Sequence, residues 1–403
     1  MKILVINCHP DNRGDEAAVR AMVDEINATY QGVEITLAIR GAGTKYPNMP
    51  SNVKMIHQFM PISSKSKLAH RIAVLTVGRI SISSKEKTLI SEISKADIIL
   101  HAPGGPSIGD TYYSDEPTYL AIYDLLIAMH KPYMFYAPSM GPFQRKERNS
   151  WRKKVLEHSE VIVLRDPISY SYVHNFVPEK KTILTLDSAL QHDIDLESNK
   201  VKLGKYKELC NFIKKHKKCI GVTITDLSWH PKYSNNEIKI KIKETFTNVL
   251  KNFVQNGYGI VFIPQLYGLG NDYNLMKEYC FDEENYFVIS SDDEKYDTYF
   301  QQYVIGCMYA VIGMRYHSNI FSAKMGTPFI SISYEQKMQG FMKKMELERY
   351  CISLDELSDE ELKKRFSILA DNYDEYKEYL MLAHERMKKE SYETTNILKD
   401  ILS

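Results

Sequence analysis

Short apolar segments alternate with longer amphipathic segments along most of the chain. In the first half, the apolar segments have the length of β-strands and comprise residues 2–6, 33–39, 97–101, 133–136, 160–164 and 182–186. Segments with apolar residues at helical spacing, such as 15–28 and 117–130, lie between them. This strand–helix alternation predicts a parallel, doubly wound α/β sheet. Residues 41–83 fit the pattern poorly, and only 72–77 are predicted to be ordered there.

The alternation stops at residues 193–218, where charged residues become frequent, and then begins again. The second set of predicted strands comprises residues 219–225, 259–264, 286–289, 310–312 and 329–333. Residues 356–402 are helical and charged. We therefore expect two Rossmann-like α/β domains facing a cleft, at residues 1–195 and 196–345. The remaining residues, 346–403, are predicted to be C-terminal helices that cross back onto the first domain.

Composition narrows the class of protein. A chain of 403 residues with 44% hydrophobic residues can bury two ordinary cores. The net charge of +1 argues against a nucleic-acid-binding protein that works through a broad basic field. The six cysteines show no CxxC spacing, so neither a zinc knuckle nor a disulfide framework is predicted.

The expected location is cytoplasmic. The N-terminal apolar run is too short for a signal peptide, and no run reaches the about 18 apolar residues that span a bilayer. The Lys-rich residues 214–218 leave two interpretations open. One is peripheral contact with anionic lipid at the inner face of the membrane, and the simpler one is a solvated helix face.

Cationic residues follow two successive predicted strands. Arg315 and His317 come after the strand at 310–312, and Lys337 comes after the strand at 329–333. Ligands of open α/β sheets bind at the carboxyl edge of the strands, so these side chains predict a site for a small anion with phosphate or carboxylate groups.

Arg165 ends another strand. Asp166 either caps the next helix and leaves Arg165 for the ligand, or forms a structural pair with it.

Two loops in the first half add candidate residues. In residues 12–17 (NRGDEA), Asn12, Asp15 and Glu16 either cap a helix or face a ligand. In residues 103–110 (PGGPSIGD), Gly104 and Gly105 expose backbone N–H groups, and Asp110 either binds a sugar hydroxyl, acts as a base or only fixes the loop. Neither loop has the GxGxxG or GxxxxGK[ST] spacing of nucleotide-binding loops, and no metal-binding motif is present.

In their order, these motifs resemble the polysaccharide pyruvyl transferase family. The matching elements are NRGDEA, PGGPSIGD, SMGPF, LRDPIS, LDSAL, GMRYHS and SAKMGTPFISISYEQKMQGF, which together span most of residues 2–343. The resemblance implies a two-domain fold like that of the GT-B glycosyltransferases. It also implies transfer of the pyruvyl unit of phosphoenolpyruvate to two hydroxyls of a sugar, which forms a cyclic ketal and releases phosphate. Phosphoenolpyruvate is the donor substrate, and no cofactor or metal is expected.

Site residues carry over by position. The family's RxH motif falls on Arg315 and His317, its RD motif on Arg165 and its following lysine on Lys337, and these positions imply donor binding and proton transfer. The acidic residue after the Gly-rich loop falls on Asp110, although the loop reads PGGP where the family usually has GGG.

The chemistry agrees with the residues themselves. Three cations suit a carboxylate and a phosphate, and a histidine, which titrates near neutral pH, can protonate the enol carbon. Asp110, Asp15 and Glu16 are candidate bases for the acceptor hydroxyl. The expected partners are phosphoenolpyruvate and a sugar or lipid-linked oligosaccharide acceptor, without nucleic acid.

Two other functions suit the same architecture. A nucleotide-sugar-dependent GT-B glycosyltransferase would also need cations for a diphosphate. It would more often show a glutamate for the ribose hydroxyls in the second domain, and none stands out. A non-catalytic glycan-binding protein is the other alternative, against which His317 beside three cations argues.

Overall fold

The computed structural model describes residues 1–41, 45–105, 107–267, 271–290 and 296–403. These residues form two compact units, each built on its own parallel sheet. The first unit contains Met1–Pro10, Asp15–His192 and Lys389–Ser403, and the second contains Asp11–Gly14 and Asp193–Lys388. The predicted class, two parallel-sheet α/β domains, is confirmed.

Seven parallel strands make up the described sheet of the first unit. They are β1 (Lys2–Cys8), β2 (Glu34–Ile39), β3 (Val53–His57), β4 (Ile98–His101), β5 (Tyr133–Phe135), β6 (Ile162–Leu164) and β7 (Thr182–Leu184), in the order β3-β2-β1-β4-β5-β6-β7. The helices are α1 (Arg13–Thr29), α2 (Ser64–Leu75), α3 (Ser84–Lys95), α4 (Glu116–Ala128), α5 (Asn149–Glu157) and α6 (Pro167–Phe176). Of the poorly patterned segment 41–83, the structure thus places β3 and α2, while residues 42–44 lie outside the described part.

The core of this unit lies on both faces of the sheet. Successive residues of a strand point to opposite faces, so Ile3 and Val5 join one apolar cluster and Leu4 and Ile6 join the other. A sheet that is covered on both sides needs strands that are apolar at nearly every position, and this is why the strands were visible in the sequence.

The second unit has six parallel strands among its described residues. They are β8 (Cys219–Thr223), β9 (Gly259–Phe262), β10 (Tyr286–Val288), β11 (Ala310–Gly313), β12 (Phe329–Ser333) and β13 (Cys351–Ser353), in the order β10-β9-β8-β11-β12-β13. The helices are α7 (Leu196–Lys205), α8 (Lys207–His216), α9 (Asn236–Gln255), α10 (Asp272–Lys277), α11 (Thr298–Gly306), α12 (Tyr316–Lys324), α13 (Gln336–Lys344), α14 (Asp359–Asp371) and α15 (Tyr373–Leu402). None of the described helices is long and apolar enough to cross a bilayer.

The residues after 345 do not form a separate part of the structure, in contrast to the expected division there. Strand β13 pairs with β12 through Ser331, Ile332 and Ser333, and Tyr376 donates a hydrogen bond to the carbonyl of Phe329 at 3.0 Å. Residues up to Lys388 therefore belong to the second unit, and the first boundary falls after His192 rather than after residue 195. A three-residue strand beside charged residues leaves no readable pattern, which explains the difference.

Only the last part of α15 returns to the first unit, as the crossing-back prediction requires. Ser391 donates a hydrogen bond to the carbonyl of Asp187 at 2.6 Å, and the hydroxyls of Thr395 and Tyr136 lie 2.5 Å apart. Ile397 and Leu398 are buried in the core of this unit. The end of the chain thus stabilises the N-terminal sheet.

A buried ion pair holds α2 in the first unit. His70 Nδ1 lies 2.9 Å from Glu86 Oε1 of α3, and His70 Nε2 lies 2.8 Å from the carbonyl oxygen of Ala121 in α4. Both ring nitrogens face acceptors, so both carry hydrogens and the imidazole is positively charged. Burial by itself lowers the pKa of His70, but the bonds to Glu86 and Ala121 outweigh it and raise the pKa above its usual value.

We predict that Glu86→Gln lowers the free energy of unfolding by about 3 kcal/mol, because a buried charge loses its partner. The folded pKa of His70 exceeds its unfolded value, so the pair's contribution is complete below the unfolded pKa and is lost as the pH rises through the folded pKa. Urea denaturation at about pH 6 and about pH 9 should show a larger difference from wild type at the lower pH. The exposed pair Glu197–Lys200 supplies the control, since Glu197→Gln should change stability by less than about 0.5 kcal/mol. An equal difference at both pH values would contradict the ion pair.

Candidate active site

Each described sheet has one place where the strand order reverses, and several of the predicted site residues lie there. In the first sheet the reversal lies between β1 and β4, and in the second it lies between β8 and β11. Helices leave the sheet in opposite directions at such a point, and a crevice opens at the carboxyl ends of the two strands.

Arg315 and His317 stand at the reversal of the second sheet. Arg315 is the N-cap residue of α12, and its backbone N–H donates to Thr223 Oγ1 at the end of β8 over 3.2 Å. Gly313 allows the chain to turn directly from β11 into this helix, because a Cβ there would lie 2.0 Å from Asn319 Oδ1. Helix α12 is buried along its whole length, so its first turn is held rigidly against the sheet.

A carboxylate orients the guanidinium of Arg315. Arg315 Nε donates to Asp272 Oδ2 over 3.2 Å, and Nη2 pairs with Asp272 Oδ1. Asp272 Oδ2 also accepts from the backbone N–H groups of Gln265 and Leu266 at 3.1 and 2.9 Å. Burial would lower the pKa of Arg315, but Asp272 and Tyr334 raise it above its usual value, so the side chain is charged and fixed in position.

His317 lies in the first turn of α12 with its side chain almost fully buried. A Cβ on Gly14 would lie 1.9 Å from His317 Nδ1, so the imidazole packs directly on the backbone of Gly14. The segment Asp11–Gly14 is bound to the second unit. Arg13 N donates to the carbonyl of Gln265 over 2.8 Å, and Thr298 Oγ1 donates to the carbonyl of Arg13 over 2.7 Å.

Asn12 has a local role in this segment. Its Oδ1 accepts a hydrogen bond from the N–H of Gly14 at 2.7 Å, and its backbone forms an antiparallel bridge with Leu266. The amide thus fixes the turn that supports His317. Contact between Asn12 and a ligand stays a prediction.

Lys337 follows β12, as predicted, beside a carboxylate and an aromatic ring. Its Nζ lies 2.6 Å from Glu335 Oε2 and 5.6 Å from the centre of the Tyr316 ring. His230, which the sequence did not single out, is a neighbour of the same groups. Burial lowers the pKa of His230. The positive charges of Lys232 and Lys337 lower it further, and the negative charge of Glu335 opposes the shift.

In the first unit, a cavity of about 240 Å³ opens at the carboxyl ends of β1 and β4. It contains three of the predicted residues, Asp15, Gly104 and Gly105. The other lining residues are Asn7, His9, His101, Ala102, Pro103, Ser107, Tyr112, Asp115 and Tyr119. The loop passes close to Asp15, and a Cβ on Gly104 would lie at an ordinary contact distance of 3.4 Å from Asp15 Oδ1.

His101 is a neutral group at the floor of this cavity. Burial, together with the positive charges of His9 and Arg40, lowers the pKa of His101 to about 3. Its Nδ1 lies 3.1 Å from the amide nitrogen of Asn7, so we assign Nδ1 as the acceptor and Nε2 as the protonated nitrogen. His101 Nε2 then donates to Ser107 Oγ over 2.8 Å, and the Ser107 hydroxyl can donate to a ligand.

Asp110 is occupied by structural contacts. Its Oδ1 accepts from Arg152 Nη2 at 2.8 Å, and its Oδ2 accepts from the N–H groups of Gln144 and Arg145 at 2.7 and 3.0 Å. It does not belong to the cavity lining. These contacts favour the alternative in which Asp110 only fixes the loop. Glu16, also predicted, is fully buried in the first turn of α1 and does not line the cavity either.

Arg165 is buried and ion-paired. Asp166 does cap α6 by accepting from the N–H of Ser169 at 2.8 Å. The guanidinium of Arg165 instead pairs with Asp187, and the distance between Arg165 Nη1 and Asp187 Oδ2 is 2.5 Å. Arg165 Nε donates a hydrogen bond to Ser139 Oγ at 2.9 Å. The alternative of a structural pair between Arg165 and Asp166 is therefore wrong, and the carboxylate that pairs with Arg165 comes from the LDSAL motif. Contact between Arg165 and a ligand stays a prediction.

Several residues of these sites were missed in the sequence. Two of them lie at strand ends, His101 at the end of β4 and His9 directly after β1. The other two lie at the start of helical segments, Asp272 in α10 and Asp187 as the N-cap of a short 3-10 helix. A polar residue at such a position is a general signal for ligand sites. The signal that would have singled them out, the proximity of the two strands at each sheet reversal, is not local.

Two parallel-sheet α/β units with sites at their sheet reversals define the architecture of GT-B-like enzymes. Solved structures agree with this class. UDP-GlcNAc 2-epimerase from Neisseria meningitidis, bound to UDP-GlcNAc, matches with a TM-score of 0.60 at 12% identity over 100% of both chains. A UGT transferase from Siraitia grosvenorii in complex with UDP matches with a TM-score of 0.59 at 9% identity over 99% of both chains. At these identities the matches show the fold alone.

A comparison with protein families identifies the family of the chain. The polysaccharide pyruvyl transferase family matches residues 12–336, so the chain belongs to this family. The protein is therefore a transferase, as its motifs predicted. A relative is the amylovoran biosynthesis protein AmsJ of Erwinia amylovora, 22% identical over 442 residues and covering 100% of both chains.

We predict that Gly14→Ala destabilises the protein by about 1–3 kcal/mol, because the new methyl group overlaps the His317 ring and forces it to move. Urea denaturation measures the loss. Gly204→Ala is the matched control, since a Cβ there meets no atom within 4 Å and alanine favours the helix α7 by up to about 1 kcal/mol. A Gly14→Ala protein as stable as wild type would contradict the packing of His317 on this glycine.

Proposed function

We propose that this transferase moves the pyruvyl unit of phosphoenolpyruvate onto two hydroxyls of a sugar and releases phosphate. The observation that carries the proposal is the Arg315–His317 arrangement in a chain of this family. A fixed guanidinium and a buried imidazole lie two residues apart at the sheet reversal. The N-terminus of α12 also presents backbone N–H groups there, which favour an anion.

Donor binding is assigned to three cations. Phosphoenolpyruvate carries a carboxylate and a phosphate, and an arginine whose fork is already oriented binds such groups at low entropic cost. Asp272 orients Arg315, and Asp187 orients Arg165 in the same manner. Lys337 is the third cation, held beside Glu335.

His317 is the proposed proton donor. It protonates the methylene carbon of phosphoenolpyruvate, so the double bond becomes a methyl group and an oxocarbenium centre forms at the adjacent carbon. One acceptor hydroxyl attacks that centre and loses its proton to a base. The carbon–oxygen bond to phosphate then breaks, and the second hydroxyl closes the ketal while its proton leaves with phosphate. The scheme calls for no cofactor beyond the donor.

The cavity of the first unit is the proposed acceptor site. A sugar offers hydroxyls that donate and accept, and the cavity supplies the amide of Asn7, the hydroxyl of Ser107 and the carboxylates of Asp15 and Asp115. The rings of Tyr112 and Tyr119 add apolar surface. Of the three predicted bases, Asp15 is the one that lines this cavity, so we assign it to the acceptor hydroxyl.

The biological setting follows the relatives. The name of AmsJ refers to amylovoran biosynthesis, and we propose that the present protein acts in the biosynthesis of an exopolysaccharide. The acceptor would be a sugar or a lipid-linked oligosaccharide, modified in the cytoplasm or at the inner face of the membrane. The UDP ligands of the structural neighbours belong to those proteins and are not transferred to this chain.

Phosphate release from phosphoenolpyruvate, followed with a panel of glycan acceptors, tests the proposal. We expect acceptor-dependent release, and His317→Asn should retain donor binding while kcat falls about 10²- to 10⁴-fold. Arg315→Ala should instead weaken donor binding by about tenfold or more in calorimetry, because a charged hydrogen bond is lost.

The exposed residues His57 and Arg386 provide matched controls, and His57→Asn and Arg386→Ala should leave both quantities unchanged. The proposal would be wrong if no acceptor caused phosphate release and if a nucleotide sugar, but not phosphoenolpyruvate, raised the melting temperature of the protein. That result would identify the protein as a glycosyltransferase instead. Normal turnover in His317→Asn would remove this residue from proton transfer.

The base assignment makes a separate prediction. Asp15→Ala should lower kcat about 10²-fold or more at an unchanged KM for phosphoenolpyruvate, and added formate should restore part of the rate by replacing the lost carboxylate. Asp110→Asn should mainly lower the urea midpoint, since Arg152 loses a charged partner, and the folded enzyme should keep its turnover. Loss of turnover in Asp110→Asn at unchanged stability would reverse the assignment.

A further inference from the structure

An unusual surface covers α2 and the turn that follows it. Six large apolar side chains of the first unit are exposed within 21 residues: Ile62, Leu68, Leu75, Val77, Ile80 and Ile82. Elsewhere in the described residues, the exposed large apolar side chains occur singly or in pairs along the chain. Such a concentration in a soluble protein marks an interaction surface.

Cations accompany these apolar residues. Lys65, Lys67, Arg71, Arg79, Lys85 and Lys87 are exposed. In residues 58–90 the single acidic residue is Glu86, which is buried against His70. Throughout the described residues no carboxylate pairs with any of these six cations. We refer to the six apolar and six cationic residues together as the basic apolar patch.

Helix α2 presents its share of the patch along one side. Lys65, Leu68 and Leu75 of the patch and the half-buried Ile72 are spaced three and four residues apart, so they follow one another along one face of the helix. The opposite side, with Ala69, His70 and Ala73, is buried. The bonds of His70 to Glu86 and to the Ala121 carbonyl fasten this buried side, so the exposed face is rigid.

We propose that the basic apolar patch docks the protein on an anionic lipid membrane. Aliphatic side chains that enter the headgroup boundary, flanked by lysine and arginine, are the features of an interfacial amphipathic helix. The charge is complementary to anionic headgroups, and each cation near such a surface adds to the attraction. The proposal does not depend on the reaction that the enzyme catalyses.

Two other occupants agree less well with the patch. A second copy of the chain in a two-fold dimer would bring the same six cations against themselves without a carboxylate to pair with. Single-stranded nucleic acid is bound through aromatic stacking platforms, and residues 62–88 contain no Phe, Tyr or Trp.

Helix α4 contacts the buried side of α2 and also lines the proposed acceptor site. Tyr119 of α4 lines the cavity, and Ala121, which accepts the hydrogen bond of His70, is two residues further along the same helix. The two positions are about 3 Å apart along the helix axis and about 200° apart around it, so the cavity and α2 lie on different sides of α4.

Vesicle co-sedimentation of the full-length protein tests the proposal. We expect binding to phosphatidylcholine vesicles that contain about 30% phosphatidylglycerol, little binding to phosphatidylcholine alone, and weaker binding as salt screens the charges. Leu68→Ser combined with Leu75→Ser should weaken binding about tenfold or more. Replacement of Lys65, Lys67 and Arg71 by Glu should weaken it about a hundredfold.

Matched controls come from the second unit. Met381→Ser combined with Leu382→Ser removes a similarly exposed apolar pair, and replacement of Lys343, Lys363 and Lys377 by Glu removes three exposed cations. Both control variants should bind as wild type does. All the substituted side chains are exposed, so the urea midpoints should stay unchanged.

Three outcomes would overturn the proposal. The first is a wild-type protein that does not bind anionic vesicles, and the second is a patch variant that binds as well as wild type. The third is a concentration-dependent dimer in analytical ultracentrifugation that the substitutions at Leu68 and Leu75 abolish, which would assign the patch to a second copy of the chain.

Discussion

Three buried guanidinium groups are paired with carboxylates, and these pairs help to shape both units. Arg315 is fixed by Asp272, Arg165 by Asp187, and Arg152 by Glu116 and Asp110. A buried charge without a partner costs several kcal/mol, so each of these arginines requires a carboxylate at a fixed place. Two of these pairs hold charged arginines directly after strands, Arg165 after β6 and Arg315 after β11, where the proposed function uses them to bind the donor.

The two units offer contrasting chemistry at equivalent places. The reversal of the second sheet presents the oriented guanidinium of Arg315 and the imidazole of His317, which the proposed function assigns to phosphoenolpyruvate. The reversal of the first sheet presents a neutral histidine, a hydroxyl, an amide and carboxylates around a cavity, which suit a sugar. The difference arises from burial: His101 loses its charge through desolvation, whereas Arg315 keeps its charge because Asp272 compensates it.

Much of the fold and part of the site could be predicted from the sequence. Strands that are buried on both faces are continuously apolar, so their number and order along the chain were nearly readable. The positions of Arg315, His317 and Lys337 at strand ends followed from them. Strand β13 was not readable, because three residues beside charged neighbours carry no periodicity. The roles first considered for Asp110 and Arg165 depended on partners 42 and 22 residues away, which no local pattern reveals.

The sequence by itself determined the α/β class, the family and the strand ends that carry the cations, because periodicity and motifs are properties of neighbouring residues. Tertiary structure decided which carboxylate serves which arginine, which acidic residue lines the cavity and where α15 passes from one unit to the other. It also decided that the apolar residues around α2 stay exposed, since the buried side of that helix is set by His70, Glu86 and α4. These outcomes depend on contacts between distant segments, and those form only when the sheets assemble.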